Sequence, residues 1–190
     1  MRIIGGIFRG RKLKSLRGMN TRPTSDIVRE SLFNVLGEKV VNSVFVDIFA
    51  GTGAVGIEAL SRGARKVYFI EKDYKACKII KENLNNLGVL KEAIIIKGEV
   101  PGIIFDINPE DDFDIIFLDP PYKKGLTLPS IHALQKKGLI KNNTLVIIQC
   151  PFDEKVDLPE GFSVIKEKKY GITKLIFFRR SMCEDSDLSR

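Results

Sequence analysis

Five short apolar runs, set between stretches of helical periodicity, constrain this chain more than any other feature. They are Val44-Phe45-Val46-Asp47-Ile48, Val67 to Ile70, Ile94 to Ile96, Phe113 to Leu118 and Leu145 to Ile148. A strand that is apolar at nearly every position must be covered on both faces, and strands alternating with helices read as a parallel sheet. Ile27, Val28, Ser31, Leu32, Val35 and Leu36 recur at helical spacing behind a cap at Thr24 or Ser25 and stop at Gly37. Further helices are predicted from Ala54 to Ser61, from Tyr74 to Leu87 with Gly88 closing it, and after the fourth strand around His132. Beyond Pro159 the rhythm changes to strand, turn, strand: Phe162 to Lys169, then Ile172 to Phe178 around Tyr170-Gly171. The 190 residues suffice for one such domain. The predicted division is 1–24 as an N-terminal β-hairpin extension, 25–180 as the α/β domain and 181–190 as a polar tail. In the extension, Arg2 to Leu13 reads as two short strands around Gly5-Gly6.

The turn after the first strand, Phe49-Ala50-Gly51-Thr52-Gly53-Ala54-Val55-Gly56, contains G-x-G-x-x-G between strand and helix. Glycine there permits positive φ and lets backbone N–H groups approach a ligand. Glu71, about twenty residues on at the end of the second strand, is placed to accept ribose hydroxyls. Dinucleotides use the same constellation. Asp47, four residues before Gly51, speaks against one, because a carboxylate there repels a pyrophosphate and suits an ammonium group. The chain also has no room for a second mononucleotide half. Candidate cofactor contacts are therefore Asp47, Phe49, Gly51, Gly53 and Glu71.

Asp119-Pro120-Pro121-Tyr122 follows the fourth strand. A carboxylate at the carboxyl end of a central parallel strand lies where open α/β sheets bind ligands. The prolines remove two N–H donors and leave carbonyls as acceptors, while Tyr122 offers a stacking face. An aryl-type amine is a poor nucleophile because its lone pair is delocalised into the ring. Hydrogen bonds from its two hydrogens to Asp119 and the Pro120 carbonyl push the nitrogen toward tetrahedral geometry, and in-line attack on a sulfonium methyl then depends on positioning. The candidate catalytic group is Asp119, Pro120, Pro121 and Tyr122, with S-adenosyl-L-methionine as methyl donor.

The net charge of +7 is concentrated at one end. Arg2, Arg9, Arg11, Lys12, Lys14, Arg17 and Arg22 precede any acid, and the rest of the chain is neutral. Such an arm predicts a localised contact with a polyanion, with Arg9, Arg11, Lys12, Arg17 and Arg22 as candidate RNA contacts. The scattered Cys77, Cys150 and Cys183 with the lone His132 argue against zinc or a disulfide framework and fit a reducing, cytoplasmic setting. No apolar run is long enough to span a bilayer. No apolar segment follows the basic start, as a secretory signal requires, and Gly5, Gly6, Gly10 and Gly18 would break a transit helix. His132 reads as a surface or packing residue and Cys150 as buried. Lys136-Lys137 and Lys168-Lys169 read as solvated faces.

The chain resembles the RsmD family of class I methyltransferases. The blocks that carry the resemblance are Phe8-Arg9-Gly10-Arg11-Lys12-Leu13 with Gly5, Thr21-Arg22-Pro23-Thr24-Ser25-Asp26, Val28-Arg29-Glu30-Ser31-Leu32-Phe33-Asn34 and Asp47 to Gly53. They continue through Glu58-Ala59-Leu60-Ser61-Arg62-Gly63-Ala64, Glu71-Lys72-Asp73, Asp119-Pro120-Pro121-Tyr122 and Lys169-Tyr170-Gly171. The resemblance implies a Rossmann-like, seven-stranded, mostly parallel sheet with a reversed last strand and helices on both faces. It implies methylation of a guanine N2 in small-subunit (16S) ribosomal RNA, with Asp47, Gly51 and Gly53 holding the methionine part of the cofactor and Glu71 the ribose. A monomer acting on rRNA or on an assembling small subunit, with no metal and no membrane, is the expectation. Two positions depart from the family pattern: Glu99 stands after Gly98 where the family usually has an Asp that meets the adenine amino group, which makes Glu99 the cofactor-contact candidate there, and Gln149-Cys150 follows the fifth strand where a Glu is common. The site motifs themselves leave adenine N6, a protein amide or a catalytically inactive RNA-binding assembly factor as alternatives.

Overall fold

Each apolar run becomes a strand, and the two-residue alternation of side chains sorts it between two helical layers. The computed structural model describes residues 1–16, 26–122 and 124–181. In chain order the elements are α1 (Asp26–Leu36), β1 (Val44–Ile48), α2 (Ala54–Ser61), β2 (Lys66–Glu71), α3 (Tyr74–Leu87) and β3 (Ala93–Lys97). There follow β4 (Ile115–Leu118), α4 (Thr127–Lys136), β5 (Leu145–Pro151), β6 (Phe162–Tyr170) and β7 (Thr173–Arg180). The seven strands form one sheet in the order β3-β2-β1-β4-β5-β7-β6. Neighbours from β3 through β5 pair in parallel, whereas β7 runs antiparallel to both β5 and β6. Only β7 is reversed, and the strand-turn-strand ending read from the sequence is the hairpin that inserts it.

On β1, Phe45 packs under α1 and α2, together with Val67 and Phe69 of β2, Phe117 of β4 and Ile147 of β5. Val44, Val46 and Ile48 face the other way, with Tyr68, Ile116, Ile148 and the α4 residues Ile131 and Leu134. Burying each such side chain contributes about 1.5–3 kcal/mol, so the sheet carries two cores. Strand β4 begins at Ile115, two residues later than the apolar run suggests, and the exposed Asp114 just before it caps the start of β1: its Oδ2 accepts the Val44 N–H at 2.8 Å. Helix α3 is capped by Asp73, whose side chain accepts from the Lys75 N–H at 2.9 Å, and is closed by Gly88 in the left-handed region. Its start and end match the expectation. His132 is exposed on α4 and Cys150 is buried on β5, where burial pushes its thiol up to about 12.

The N-terminal segment differs from the two strands expected. Arg2 and Lys12 form a single antiparallel bridge, and Gly5 to Gly10 between them are bends and turns. The reason is what those residues bond to. The Ile4 and Gly5 N–H groups donate to the two oxygens of Glu58 at 2.8 and 2.7 Å, and the Ile7 N–H donates to the Ser61 carbonyl at 2.8 Å. Backbone donors spent on α2 cannot extend a ladder. A Cβ at Gly6 would lie 1.8 Å from the Ser61 carbonyl oxygen, so only glycine fits there. Ile3 and Leu13 join the α1–α2 core, and the segment is docked on the domain along its length. Arg29, fully buried on α1, ties it down further by donating to the Arg2 carbonyl at 2.6 Å. The predicted cap at Thr24 or Ser25, and the tail from 182 onward, lie outside the described residues.

Candidate active site

The strand order turns back on itself at β1 and β4, where connections leave the sheet in opposite directions and a crevice opens at the carboxyl edge. The pleat delivers four polar side chains there. Asp47 continues the Phe45 face of β1, Glu71 the Val67–Phe69 face of β2, Asp119 the Ile115–Phe117 face of β4, and Gln149 the Ile147 face of β5. All four therefore share one side of the sheet, below the start of α2.

The glycine turn reaches that position through a backbone that few residues adopt. Phe49 sits at φ +66, which costs a side-chain-bearing residue about 1–2 kcal/mol. The Ile70 carbonyl compensates by accepting both the Phe49 and Ala50 N–H groups at 3.0 Å. The three glycines answer three different demands. Gly51, at φ +55, has nothing within 4 Å of where a Cβ would stand, so open space lies in front of it. Gly53, at φ +81, precedes α2 without any side-chain cap of its own. Gly56 lets α2 lie on β2, since a Cβ there would be 2.3 Å from Phe69.

Two acids hold this turn. Asp47, 2% exposed, accepts the Gly56 N–H at 2.9 Å and so supplies from β1 the cap that α2 lacks. Burial, with the charges of Asp119 and Glu71 nearby, pushes its carboxyl up to about 7 against the pull of the Gly56 bond. Glu71 accepts the Gly51 N–H at 2.8 Å with one oxygen and the Lys72 and Asp73 N–H groups at 2.9 Å with the other. Three carboxylates thus converge on an open glycine turn. The field disfavours a pyrophosphate and favours a ligand carrying positive charge.

Asp119 is half-buried, and its backbone N–H still reaches the Ile48 carbonyl at 3.3 Å. Pro120 is buried and Pro121 exposed. Tyr122 is 37% exposed, with its hydroxyl 3.2 Å from Thr173 Oγ1 on β7. Beside them opens a cavity of about 400 Å³ lined by Pro120, Pro121, Tyr122, Thr127, Gln149 and Glu154 among others, roomy enough for a nucleobase.

The model of the family described as Conserved hypothetical protein 95 matches residues 1–179. A Haemophilus influenzae protein named Ribosomal RNA small subunit methyltransferase D is 38% identical over 173 residues, 90% of each chain. The Escherichia coli protein of the same name is 32% identical over 188 residues, covering 98% of this chain and 93% of its own. The chain belongs to this RsmD family. The solved structure of Escherichia coli yhhF superposes with a TM-score of 0.84 at 31% identity, over 95% of this chain and 97% of the other.

Within this RsmD family member, the sequence-predicted residues fall into two groups. Asp47, Phe49, Gly51, Gly53, Glu71 and the Asp119-Pro120-Pro121-Tyr122 group are brought to one crevice. Glu99 is not drawn into it as the others are: its side chain is 76% exposed and pairs with Lys72 at 3.2 Å. Arg9 and Lys12 are exposed on the docked N-terminal segment. Arg11 is exposed too, but its guanidinium donates to the Asn86 carbonyl at the end of α3 at 3.0 Å, and Lys14 pairs with Glu82 at 3.0 Å. Arg17 and Arg22 lie outside the described residues. Sequence reasoning missed Glu58, Ser61 and Arg29 as the anchors of the N-terminal segment. It also gave no role to Gln149, whose amide donates to Asp119 Oδ2 at 3.1 Å. The register Leu118↔Ile148 sets those two side by side, a relation visible only once β4 and β5 are known to pair.

Proposed function

We propose that this chain transfers a methyl group from S-adenosyl-L-methionine to the exocyclic N2 of a guanine in small-subunit ribosomal RNA. The observation that carries the reading is the convergence of Asp47, Glu71 and Asp119 on the open side of the glycine turn, beside a base-sized cavity with Tyr122 at its wall. The donor's positively charged ammonium and sulfonium groups fit that acidic field, and the space in front of Gly51 admits close backbone approach. Asp47 would hold the ammonium end and Glu71 the ribose hydroxyls, while the Gly51–Gly53 backbone lines the methionine part. When bound, the donor supplies an electrophilic methyl that leaves with no electrons from its sulfur, which becomes a neutral thioether.

The chain's own groups do the rest. Asp119 and the Pro120 carbonyl accept the two amine hydrogens, orienting the nitrogen lone pair, and Tyr122 holds the extruded base by stacking. The amine proton becomes acidic only after the nitrogen carries the methyl, so the Asp119 carboxylate needs no unusual basicity to receive it. Arg9, Arg11 and Lys12 contact phosphates of the same RNA, a role in which Arg17 and Arg22 join them. The ribosomal acceptor follows the relatives named Ribosomal RNA small subunit methyltransferase D, and the guanine N2 follows the family resemblance.

The test is methyl transfer from radiolabelled donor to naked rRNA, small subunits lacking the modification, and DNA. Label is expected on guanine N2 of RNA and absent with Asp119→Ala. Label on adenine or on a protein amide would reject the acceptor. Donor binding without any transfer would favour an assembly factor.

A further inference from the structure

We propose that Lys166, Lys168 and Arg179 form a second RNA-backbone track, on the side of the sheet that also carries the N-terminal segment. The track gives the RNA a hold on the far flank of the crevice. It deepens the methyl-transfer reading and rests on it for which RNA is bound.

The register of the terminal hairpin fixes which way these cations face. Residues directly opposite in an antiparallel pair share a face, and so do alternate residues along one strand. Lys168 stands opposite Leu175, and Lys166 opposite Phe177. Leu175 and Phe177 belong to the core beneath α1 and α2, so both lysines point to that side, and on the outermost strand both are exposed. Arg179, two residues past Phe177, keeps the same parity and is exposed as well. It lines a groove of about 350 Å³ with Lys39, Asn42, Ile165 and Asp114 among others. Asp114 is the groove's only acid among the described residues, and its Oδ2 is engaged by the Val44 N–H. Sequence reading treats Lys168 and Lys169 alike; the register separates them, because Lys169 lies opposite Lys174 on the other face.

Charge distinguishes the two faces. Among the described residues, the side chains of Lys166, Lys168 and Arg179 make no ion pair or hydrogen bond, whereas on the other face Glu167 pairs with Lys174 at 3.7 Å. An edge strand needs charge to discourage pairing with a foreign sheet, but either face serves that purpose. Unpaired cations in a row on one face suit a chain of phosphates. The row also leads to the site. Tyr170 ends β6 opposite Thr173, whose Oγ1 lies 3.2 Å from the Tyr122 hydroxyl, and the Tyr170 and Ser31 hydroxyls share a hydrogen bond that fixes the hairpin to α1. At the rise of a strand, Lys168 is about 7 Å from Tyr170, and Arg179 about 20 Å from Thr173. On the other flank, the N-terminal segment with exposed Arg9 and Lys12 is held by α2 and α3, and α3 packs on β2 and β3. The crevice at β1 and β4 therefore lies between two sets of exposed cations on one side of the sheet.

The experiment compares wild type with the triple variant Lys166→Gln, Lys168→Gln, Arg179→Gln and with Lys169→Gln, which neutralises the other face of the same strand. Each is read by filter binding to naked small-subunit rRNA over roughly 50 to 200 mM salt, by thermal midpoint and by calorimetric affinity for S-adenosyl-L-methionine. The triple variant should flatten the logarithmic salt dependence by about 2, the share of three phosphate contacts on a single strand, with midpoint and donor affinity as in wild type. Lys169→Gln should change the slope far less than one third of that. An unchanged slope in the triple variant would overturn the track. Weaker binding of that variant to small subunits, with its slope on naked rRNA unchanged, would assign the face to a protein of the subunit instead. An equal change per charge removed in Lys169→Gln would also overturn the track, as the signature of net charge alone. If wild type binds rRNA but methylates none, the methyl-transfer reading falls, and the slopes still decide the track.

Discussion

Glu71 accepts the Gly51 N–H at 2.8 Å across twenty residues of sequence, so the carboxylate proposed for the ribose also holds the glycine turn proposed to line the donor. Glu71→Gln keeps the size but turns half of the acceptor into a donor facing the Gly51, Lys72 and Asp73 N–H groups. Donor affinity is expected to fall at least tenfold, and stability by about 1–2 kcal/mol as the half-exposed bonds to a charged acceptor are lost. Calorimetric titration and chemical denaturation measure both. Unchanged donor affinity would separate Glu71 from the ligand site.

Asp47 predicts a pH dependence with a definite sign. Its folded carboxyl, at about 7, lies above the ordinary value of 3.8. Below the ordinary value both folded and unfolded chains hold the proton. Between the two values only the folded chain does, so this group's contribution to stability declines as pH rises and is lost above about 7. The full difference is on the order of 4 kcal/mol, as an upper bound. Asp47→Asn keeps an oxygen for the Gly56 N–H and removes the charge. Without ligand, its thermal midpoint should gain on wild type from pH 5 to pH 8, while its donor affinity collapses. Parallel melting curves across that range would show that Asp47 is not the titrating group.

The glycines should separate structure from binding. Gly56→Ala places a Cβ 2.3 Å from Phe69 and is expected to cost about 1–3 kcal/mol through overpacking, with donor affinity following stability. Gly51→Ala meets nothing within 4 Å and bears only the strain of φ +55, about 1–2 kcal/mol, yet it fills the space the ligand needs. Donor binding should therefore be lost in Gly51→Ala out of proportion to its thermal midpoint. Comparable affinity losses in both variants would count against ligand approach at Gly51.

The basic segment predicts a salt signature. Arg9 and Lys12 are exposed, whereas Arg11 is engaged with Asn86 and Lys14 with Glu82. Neutralising Arg9 and Lys12 together should flatten the logarithmic salt dependence of RNA binding by about 1.4, the share of two phosphate contacts on a single strand. Lys14→Gln should change it far less. Filter binding from 50 to 200 mM salt, roughly the range over which such contacts weaken, reads the slopes. An unchanged slope in the double variant would remove these residues from the RNA interface.

Much of this was legible in the chain because it is local. Val44 to Ile48 is apolar on both faces and so declares a buried parallel strand. Phe49 to Gly56 declares a ligand-type turn between strand and helix by its glycine spacing, and Asp119 to Tyr122, placed one unit later, marks a candidate amine site by its carboxylate and proline carbonyls. The reversed β7 was visible in the two strands around Tyr170-Gly171, which leave no room for a helix between them. The N-terminal segment misled because its glycines suit a hairpin as well as they suit the close contact Gly6 makes with Ser61.

Residue types and their periodicity determined by themselves the alternation of strands and helices, the position of the glycine turn and a carboxylate at the carboxyl end of the fourth strand. Tertiary structure alone decided which side chains meet. Glu58 grips a segment more than fifty residues earlier, Asp47 caps a helix nine residues later, and Gln149 reaches Asp119 from the next strand. Those partners depend on strand order and register, which arise from packing two apolar faces at once and are written in no single stretch of the chain.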